Sequence, residues 1–254
     1  PLAEGVLPIA IGEATKSIPY LAEAKKNYLF EVFWGEETNT LDSEGVTTNV
    51  SKIIPSLKEI NKVLHLFIGQ IDQIPPKFSA KKINGKRCYD LARNNEEFEL
   101  KPQKVTIFNL RVVSHHENKT SFLVSCGSGT YVRSLARDLA YALNTFGYAS
   151  KILRSRYSHF SKKNTLTMDF LVKNVEKENF YKYLLDIRKV LIHIPSIKLE
   201  DERIKLIKNG MKVSMLEEFG EVNIKSLIAQ NQSQVLAFGE LKSGFFYPKR
   251  ILNI

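Results

Sequence analysis

The stretch GSGTYVRSLARDL, from Gly127 to Leu139, decides the fold of this chain. Gly129 allows the backbone a tight turn, and leucines spaced every four residues predict a helix over Ser134–Leu143. Arg133, at the entry to that helix, offers a planar fork of hydrogen-bond donors that suits a carboxylate or a phosphate. Taken alone, the stretch also fits an ordinary strand-turn-helix unit with a surface arginine.

Outward from this stretch, hydrophobic periodicity predicts a mixture of strands and helices. Strands are predicted at Val6–Ile11, Tyr28–Trp34, Val105–Val113, Ser121–Cys126 and Lys151–Tyr157. Helices are predicted at Glu13–Ala24, from Ser56 to Gly69, at Tyr89–Arg93 and within the charged segment Val172–Tyr183. Ser56 and Glu59 have the spacing of a capping box. Loops are predicted at Glu36–Gly45 and around Asn118, where His115 and His116 are expected to lie.

The C-terminal part of the chain has a different texture. Short apolar runs separated by Gly210, Gly220, Gly239 and Gly244 predict a small β domain. Together the patterns indicate a chain of the α+β class, in which short C-terminal strands follow a longer region of mixed strands and helices.

The charge of the chain favours a polyanionic partner. The formal net charge is +10 and the pI is near 9.4. Five cations and no acid lie between Lys77 and Arg87, and no acid occurs between Leu139 and Met168. Aromatic residues among the second group suit unstacked bases of RNA. Solvated faces around core aromatics are the alternative interpretation of both clusters.

Composition also narrows the class of protein. No apolar run approaches the roughly 20 residues that are needed to span a bilayer. Cys88 and Cys126 are far apart in sequence and belong to no Cys/His ligand cluster, so we expect free thiols in a reducing cytoplasm. The sequence therefore predicts a cytoplasmic protein without a metal site or a membrane partner.

Three further blocks lie upstream of the Arg133 stretch. They are PLAEGVLPIAIGEATK (Pro1–Lys16), KNYLFEVFWGEETNTLDSEG (Lys26–Gly45) and IPPKFSAKKINGKRCYDLAR (Ile74–Arg93). In this order the four blocks resemble the TruB family, the tRNA pseudouridine synthases that isomerise uridine 55 in the T loop. The resemblance covers about the first 160 residues.

The resemblance implies an α+β fold, in which a mixed and mostly antiparallel sheet with flanking helices is followed by a small PUA-like β-barrel. It also implies a division into domains. It places a pseudouridine synthase domain at residues 1–185, with a thumb insertion that grips the T loop at about residues 74–104. In residues 190–254, the runs VLAFGEL and FFYPKRIL resemble the end of a PUA domain, a small RNA-binding β-barrel. A generic β-barrel without RNA contacts is the alternative.

The resemblance also implies the walls of an active site. Tyr28 matches the family's active-site tyrosine, whose ring stacks on the flipped uracil and whose hydroxyl helps to move the proton from carbon 5. Tyr131 is implied to contribute to the uridine pocket. Leu153 matches an apolar residue that lines the pocket, and Ile152 is the alternative because one extra residue separates this leucine from Arg133.

Two carboxylates belong to the implied site. Asp42 matches a loop carboxylate near it, although this loop reads TNTLD where the family prefers TDT, so that Asn39 replaces one acid. The family's nucleophilic aspartate lies immediately before the proline that matches Pro1, and Arg133 is implied to pair with it. We expect that the sequence is N-terminally incomplete and that residues 1–254 alone are inactive. Whether the nucleophile attacks the ribose or the base stays open.

RNA contacts are expected at ten basic residues, namely Lys16, Lys26, Lys77, Lys81, Lys82, Lys86, Arg87, Arg93, Lys151 and Arg154. The implied partner is the T arm of tRNA. The resemblance implies neither a metal nor a cofactor. Because the thumb argues for the stand-alone bacterial type, we expect that no guide RNA is used. We also expect a monomeric protein. Two other functions stay open: a non-catalytic tRNA-binding or tRNA-folding protein, and an archaeal or eukaryotic relative acting in a guide-RNA particle.

Overall fold

The computed structural model describes residues 2–22, 24–94, 96–174, 176, 180–232 and 234–253. Pro1, next to which the nucleophile is expected, lies outside the described residues. Part of the predicted Val172–Tyr183 helix also lies outside them, namely Val175 and residues 177–179.

Strands and helices are numbered in chain order. The strands are β1 (Ala3–Gly5), β2 (Lys26–Trp34), β3 (Glu36–Thr38), β4 (Thr47–Val50), β5 (Gly69–Gln73), β6 (Lys82–Ile83), β7 (Lys86–Arg87), β8 (Gln103–His116), β9 (Lys119–Cys126), β10 (Gly147–Tyr157), β11 (Phe160–Ser161), β12 (Ser196–Lys198), β13 (Val213–Ser214), β14 (Ile224–Gln230), β15 (Val235–Lys242) and β16 (Phe245–Ile251). The α-helices are α1 (Ile18–Ala22), α2 (Leu57–Val63), α3 (Cys88–Arg93), α4 (Val132–Ala142), α5 (Met168–Asn174), α6 (Ile187–Val190), α7 (Asp201–Lys208) and α8 (Leu216–Phe219). Short 3₁₀ segments lie at Gly12–Ser17, Leu64–Phe67, Lys162–Asn164 and Phe180–Tyr183.

The chain divides into two compact units. The first comprises Pro1–Leu7 and Ala24–Thr165, and the second comprises Pro8–Glu23 and Leu166–Ile254. Residues 8–23 and 166–185, which the sequence assigns to the catalytic domain, therefore group with the C-terminal unit. One contact that holds the N-terminal segment there is the stacking of Tyr20 on Phe238, whose ring centroids are 4.7 Å apart.

The first unit is built on a seven-stranded sheet of order β1-β10-β2-β9-β8-β5, with β11 paired to β10. β1 runs parallel to β10, and the other neighbours pair antiparallel. The prediction of a mixed, mostly antiparallel sheet is thus confirmed.

Alternate side chains of β2 point into the core of this unit. Phe30, Val32 and Trp34 are each at most 1% exposed, and they pack in one cluster with Leu135 and Leu139 of α4. Burial of each large apolar side chain of this kind contributes about 1.5–3 kcal/mol. The helix that the leucine spacing predicts therefore covers one face of the predicted sheet.

The structure differs from the sequence expectations at the N-terminus. The predicted buried strand Val6–Ile11 is replaced by β1, and Leu7, Ile9 and Ile11 are exposed. The pairing of β1 with β10 requires glycine at position 5, because a side chain there would collide with the carbonyl oxygen of Arg154 in β10. Pro8 then has no N–H with which to extend the ladder.

The predicted helix Glu13–Ala24 is divided into the 3₁₀ segment Gly12–Ser17 and α1. Pro19 explains the division, because it cannot donate the hydrogen bond that a continuous α-helix requires at that position.

Other differences are smaller. The capping box between Ser56 and Glu59 is present, but α2 becomes a 3₁₀ segment after Val63, and Gly69 begins β5. His115 and His116 lie at the end of β8 rather than in the loop. The predicted loop Glu36–Gly45 contains β3, which pairs with β4. β10 begins at Gly147, four residues before the predicted start of this strand at Lys151.

The predicted thumb corresponds to the segment between β5 and β8, residues 74–102, and that name is kept for it below. β6 and β7 form a hairpin inside the thumb, joined by Asn84 and Gly85. Both residues have positive φ angles, of 49° and 84°, as a type I′ turn requires. The Asn-Gly pair was a hairpin signal that the sequence interpretation passed over.

The second unit contains a five-stranded sheet of order β12-β14-β15-β16-β13. β12 runs parallel to β14, and the other pairs are antiparallel. Its core includes Ile207 of α7 and Phe246 of β16. A small β domain is thus present where the glycine-separated runs predict one.

Two further findings concern the predicted environment. Cys88 and Cys126 are both buried free thiols. No helix within the described ranges is long and apolar enough to cross a membrane.

Candidate active site

Arg133 lies on the first turn of α4, directly after the Gly-Thr-Tyr turn. Gly129 has a φ angle of +77°, and Tyr131 is the extended N-cap residue of the helix. This local geometry directs the guanidinium of Arg133 to an acid and to two backbone carbonyl groups. Its Nη1 donates to Asp42 Oδ2 at 2.9 Å and to the Thr40 carbonyl at 2.7 Å. Its Nη2 donates to the carbonyl of Phe78 in the thumb at 2.8 Å.

Asp42 is held as firmly as its partner. The residue is 5% exposed, and its Oδ1 accepts hydrogen bonds from the Thr40 hydroxyl at 2.6 Å and from the Glu44 N–H at 3.1 Å. Thr38 donates to the Asp42 carbonyl at 2.7 Å. Both carboxylate oxygens therefore act as hydrogen-bond acceptors, one toward the loop and one toward Arg133. Within the described residues, the acid that pairs with Arg133 is therefore Asp42.

Asn39 has a structural role in the same loop. Its Oδ1 accepts the Val46 N–H at 3.0 Å, and the Asn39 N–H donates to the Val46 carbonyl at 3.0 Å. The amide that replaces the family's acid thus joins the two ends of the loop.

Tyr28 lies in β2, between β9 and β10. Its register partners are Val124 and Arg154, and its ring packs against the core cluster that includes Val132 of α4. Burial raises the pKa of the Tyr28 hydroxyl, and the nearby guanidinium of Arg154 partly opposes that shift. The hydroxyl therefore stays protonated in the neutral range.

Ile152 and Leu153 lie on opposite faces of β10. Ile152 pairs with Phe30, and Leu153 pairs with Leu29. Paired residues of an antiparallel sheet share a face, so Ile152 lies on the face that carries Tyr28 and Leu153 lies on the other. The structure therefore brings the alternative, Ile152, to the side of Tyr28, and does not bring Leu153 there. The pairing of β10 with β2 also contains a register shift between Ala149 and Lys151, just before these two residues.

A cavity of about 1020 Å³ opens beside the Arg133 pair. Its lining includes Phe78 of the thumb, Leu41 of the Asp42 loop, and Arg137 and Tyr141 of α4. The Tyr141 hydroxyl donates to Glu37 at 2.6 Å, and burial together with this carboxylate raises the pKa of Tyr141 to about 12. One wall of the cavity is therefore held by a second contact between α4 and the β3–β4 region.

Most of the predicted RNA-binding cations lie in the first unit. Lys77 and Lys82 are exposed on the thumb, where Lys81 donates to Gln103 at 3.3 Å and Lys86 pairs with Glu96 at 3.3 Å. The other two predicted RNA-binding cations of the thumb, Arg87 and Arg93, contact Tyr89. The Arg87 guanidinium donates to its hydroxyl at 2.7 Å, and the Arg93 guanidinium lies 5.6 Å from its ring centre.

A second basic group lies on β2 and β10. Lys26 lies 4.9 Å from the ring centre of Tyr157, and burial lowers its pKa. Lys151 is mostly exposed, and Arg154 donates to the Val6 carbonyl at 2.6 Å. Lys16 differs from all of these because it lies in the second unit.

The ammonium group of Lys16 interacts with other residues of the second unit. Its ammonium group pairs with Glu13 at 2.7 Å and donates to the Ile251 carbonyl at 2.8 Å. The structure therefore does not group Lys16 with the other nine cations.

Sequence reasoning missed the backbone carbonyl groups of Thr40 and Phe78 as partners of Arg133. It also missed two glutamines, Gln73 and Gln103, which bond to the turn before α4. Backbone acceptors have no signature in sequence, because every residue has a carbonyl group. The glutamines reach the turn only through the register of β5 and β8, which the sequence pattern does not specify. Among the described residues, no group of three or more His, Cys, Asp or Glu side chains could hold a metal ion.

Comparison with solved structures shows the fold. A Cbf5–Nop10–Gar1 complex contains a chain that matches 95% of this one with a TM-score of 0.67 and 19% identity, over 67% of that chain. An H/ACA ribonucleoprotein bound to a substrate RNA containing 2′-deoxyuridine contains one that matches 99% with a TM-score of 0.70 and 16% identity, over 73% of that chain.

Comparison with sequences is closer. Residues 1–132 match the family model of the TruB family pseudouridylate synthase N-terminal domain. The tRNA pseudouridine synthase B of Caulobacter vibrioides is 37% identical over 100% of this chain and 84% of its own length. The protein of the same name from Ehrlichia ruminantium is 39% identical over 100% of this chain and 87% of its own length. This chain belongs to the TruB family of pseudouridylate synthases.

Proposed function

We propose that this protein isomerises uridine to pseudouridine in tRNA, and that its target is uridine 55 of the T loop. The observation that carries the proposal is 37–39% identity along the whole chain to enzymes named tRNA pseudouridine synthase B. The ion pair between half-buried Arg133 and buried Asp42, beside a basic thumb, supports the proposal. The pair supplies a rigid charged site, and the thumb supplies a surface for phosphates.

The reaction breaks the bond between C1′ of the ribose and N1 of uracil, and forms a bond between C1′ and C5. The proton on C5 is lost, and N1 ends with a proton. A carboxylate nucleophile divides this exchange into two easier steps. The target base must leave its stack before any of these bonds can change, so the site needs a flat surface and a closed pocket.

The described residues fit those needs in the following way. The ring of Tyr28 stacks on the flipped uracil, and its protonated hydroxyl takes part in the transfer of the C5 proton. Ile152, on the same sheet face, and Tyr131 form walls of the pocket. Arg133, held by Asp42 and by two carbonyl groups, orients the nucleophilic carboxylate and stabilises its charge.

We also propose that the protein selects tRNA directly and not through a guide RNA. Relatives at 37–39% identity are named as tRNA enzymes, whereas the chains of the Cbf5 complex and the H/ACA complex are 16–19% identical. The non-catalytic alternative is disfavoured because the sequence relatives are named as enzymes.

The test uses the protein as its gene encodes it and a T-arm stem-loop RNA with tritium at carbon 5 of its uridines. Release of tritium from this RNA, and loss of release when uridine 55 is replaced by cytidine, is the expected result. Tight binding of the RNA without tritium release would overturn the enzymatic proposal and favour the tRNA-binding alternative.

The thumb makes a separate prediction about affinity. Lys82 and Lys86 are exposed, and the ion pair of Lys86 with Glu96 is too exposed to neutralise it firmly. Replacing both lysines by alanine is expected to weaken T-arm binding and to reduce the slope of log K against log salt by roughly 0.7–0.9 per lost phosphate contact.

The measurement is a salt series of RNA affinities for wild type and the double variant. The matched control is Lys58→Ala with Lys62→Ala, because both lysines are exposed on α2, outside the thumb. An unchanged slope in the thumb variant would show that these lysines face solvent, and would move the phosphate contacts to Lys151 and its neighbours.

A further inference from the structure

Two glutamines flank the thumb. Gln73 is the last residue of β5 and Gln103 is the first residue of β8, and the two are register partners in the sheet. Paired residues of an antiparallel sheet project from the same face. The thumb therefore leaves the body and returns to it at a pair of adjacent amide side chains.

Both amides bond to the turn that precedes α4. Oε1 of Gln73 accepts the backbone N–H of Tyr131 at 2.8 Å. Nε2 of Gln103 donates to the backbone carbonyl of Gly129 at 2.9 Å. One glutamine thus serves as acceptor and the other as donor, so that both ends of the three-residue turn are fixed.

The thumb is tied to the same helix by further bonds. The Ser134 hydroxyl donates to the Ile74 carbonyl at 2.7 Å, and Arg137 donates to the same carbonyl at 3.0 Å. Arg133 donates to the Phe78 carbonyl, and Lys81 of the thumb donates to Gln103. A movement of thumb residues 74–81 would therefore alter hydrogen bonds to α4 and to Gln103, which in turn bonds to the turn.

Gln73 makes its hydrogen bond through Oε1 and not through Nε2. The side chain is fully buried, and its Nε2 has no hydrogen-bond partner among the described residues. A buried amide with an unpaired N–H₂ is unfavourable compared with an apolar side chain of similar volume. The bond from Tyr131 to Oε1 is the contact that an apolar side chain would lose.

We propose that Gln73 and Gln103 are positioning residues, which couple the RNA-bound thumb to the turn that carries Tyr131 and leads into the helix of Arg133. This inference rests on the proposed function, because it assigns the turn to the uridine site. Through their two bonds, the amides hold the Tyr131 backbone and the start of α4 in the arrangement in which Arg133 meets Asp42.

The test compares three single variants in the protein as its gene encodes it. Gln73→Leu removes the acceptor at nearly constant volume, and Gln103→Met removes the donor at a partly exposed site, where misfolding is not expected. Gln73→Glu keeps an acceptor oxygen in either protonation state. The control is Gln70→Leu, which changes an exposed glutamine of the same strand.

We expect Gln73→Leu and Gln103→Met to lower the single-turnover rate on T-arm RNA by about 10- to 100-fold, because small misplacements at a reacting centre have effects of this size. Gln73→Glu should restore most of the rate, and Gln70→Leu should match wild type. RNA affinity should change little in all four variants, because each thumb cation keeps its charge. Gln103→Met removes only the long hydrogen bond that Gln103 accepts from Lys81.

Amide hydrogen exchange of residues 127–133 provides a readout that does not need turnover. In wild type, T-arm RNA should slow exchange in this peptide, and the protection should be lost in Gln73→Leu and Gln103→Met. Wild-type rate and protection in both variants would overturn the coupling, as would a loss of rate that follows only a loss of affinity. An inactive wild type would instead count against the proposed function, and in that case the exchange result alone decides whether the coupling exists.

Discussion

Arg133→Lys is expected to lower the single-turnover rate of uridine isomerisation by about 100- to 1000-fold, the range seen when one preorganised electrostatic contact is removed from an active site. The guanidinium of Arg133 bonds in three directions, to Asp42, to Thr40 and to Phe78. Lysine retains the positive charge, but a single ammonium at the end of a flexible stem cannot reproduce the planar fork. The nucleophilic carboxylate would then lose its orientation while the net charge of the site stays the same.

The measurement is the rate of tritium release at saturating enzyme, together with the affinity for the same RNA. Arg111→Lys is a suitable control because Arg111 is exposed on β8, in the same unit. An affinity that falls in step with the rate would mean that Arg133 docks RNA and does not organise the reacting groups.

Tyr28→Phe is expected to lower the same rate by about 100- to 10,000-fold, the usual contribution of a positioned proton-transfer group. The ring and its packing in the core are preserved, so stacking on the flipped base should remain. The hydroxyl, which burial keeps protonated at neutral pH, is the group that is lost. The effect should therefore fall on the chemical step and leave RNA affinity close to wild type.

The matched control is Tyr148→Phe, since Tyr148 pairs with Phe33 on the sheet face opposite to Tyr28. A normal rate in Tyr28→Phe would show that the hydroxyl has no part in the reaction and would restrict Tyr28 to stacking.

The raised pKa of Tyr28 also predicts how stability and rate depend on pH. The folded-state pKa is raised above that of the unfolded chain, so the stability linked to this group is fully present below the ordinary tyrosine pKa of about 10 and declines as the pH rises through the folded pKa. The Tyr28 hydroxyl stays protonated between neutral pH and that range. The pH profile of the wild-type rate should therefore contain no ionisation there that is missing from the profile of Tyr28→Phe.

The sequence by itself determined the elements whose signals are local. The alternation in Tyr28–Trp34 predicts β2, and the leucine spacing after Arg133 predicts α4, because side-chain periodicity directly reports which face is buried. The capping box at Ser56 is equally local, since it needs only two side chains one turn apart. The four sequence blocks were sufficient for the family, which the comparisons confirm.

Only the tertiary structure decided which residues meet in the site. Asp42 and Arg133 are 91 residues apart, and Arg133 also bonds to backbone carbonyl groups, which every residue type possesses. The choice between Ile152 and Leu153 depends on the register in which β10 pairs with β2, since a shift of one residue moves each side chain to the other face. The Gln73–Gln103 pair likewise exists because β5 and β8 align in register across an insertion. Such contacts follow from long-range strand pairing, for which neither hydrophobic periodicity nor motif spacing carries a signal.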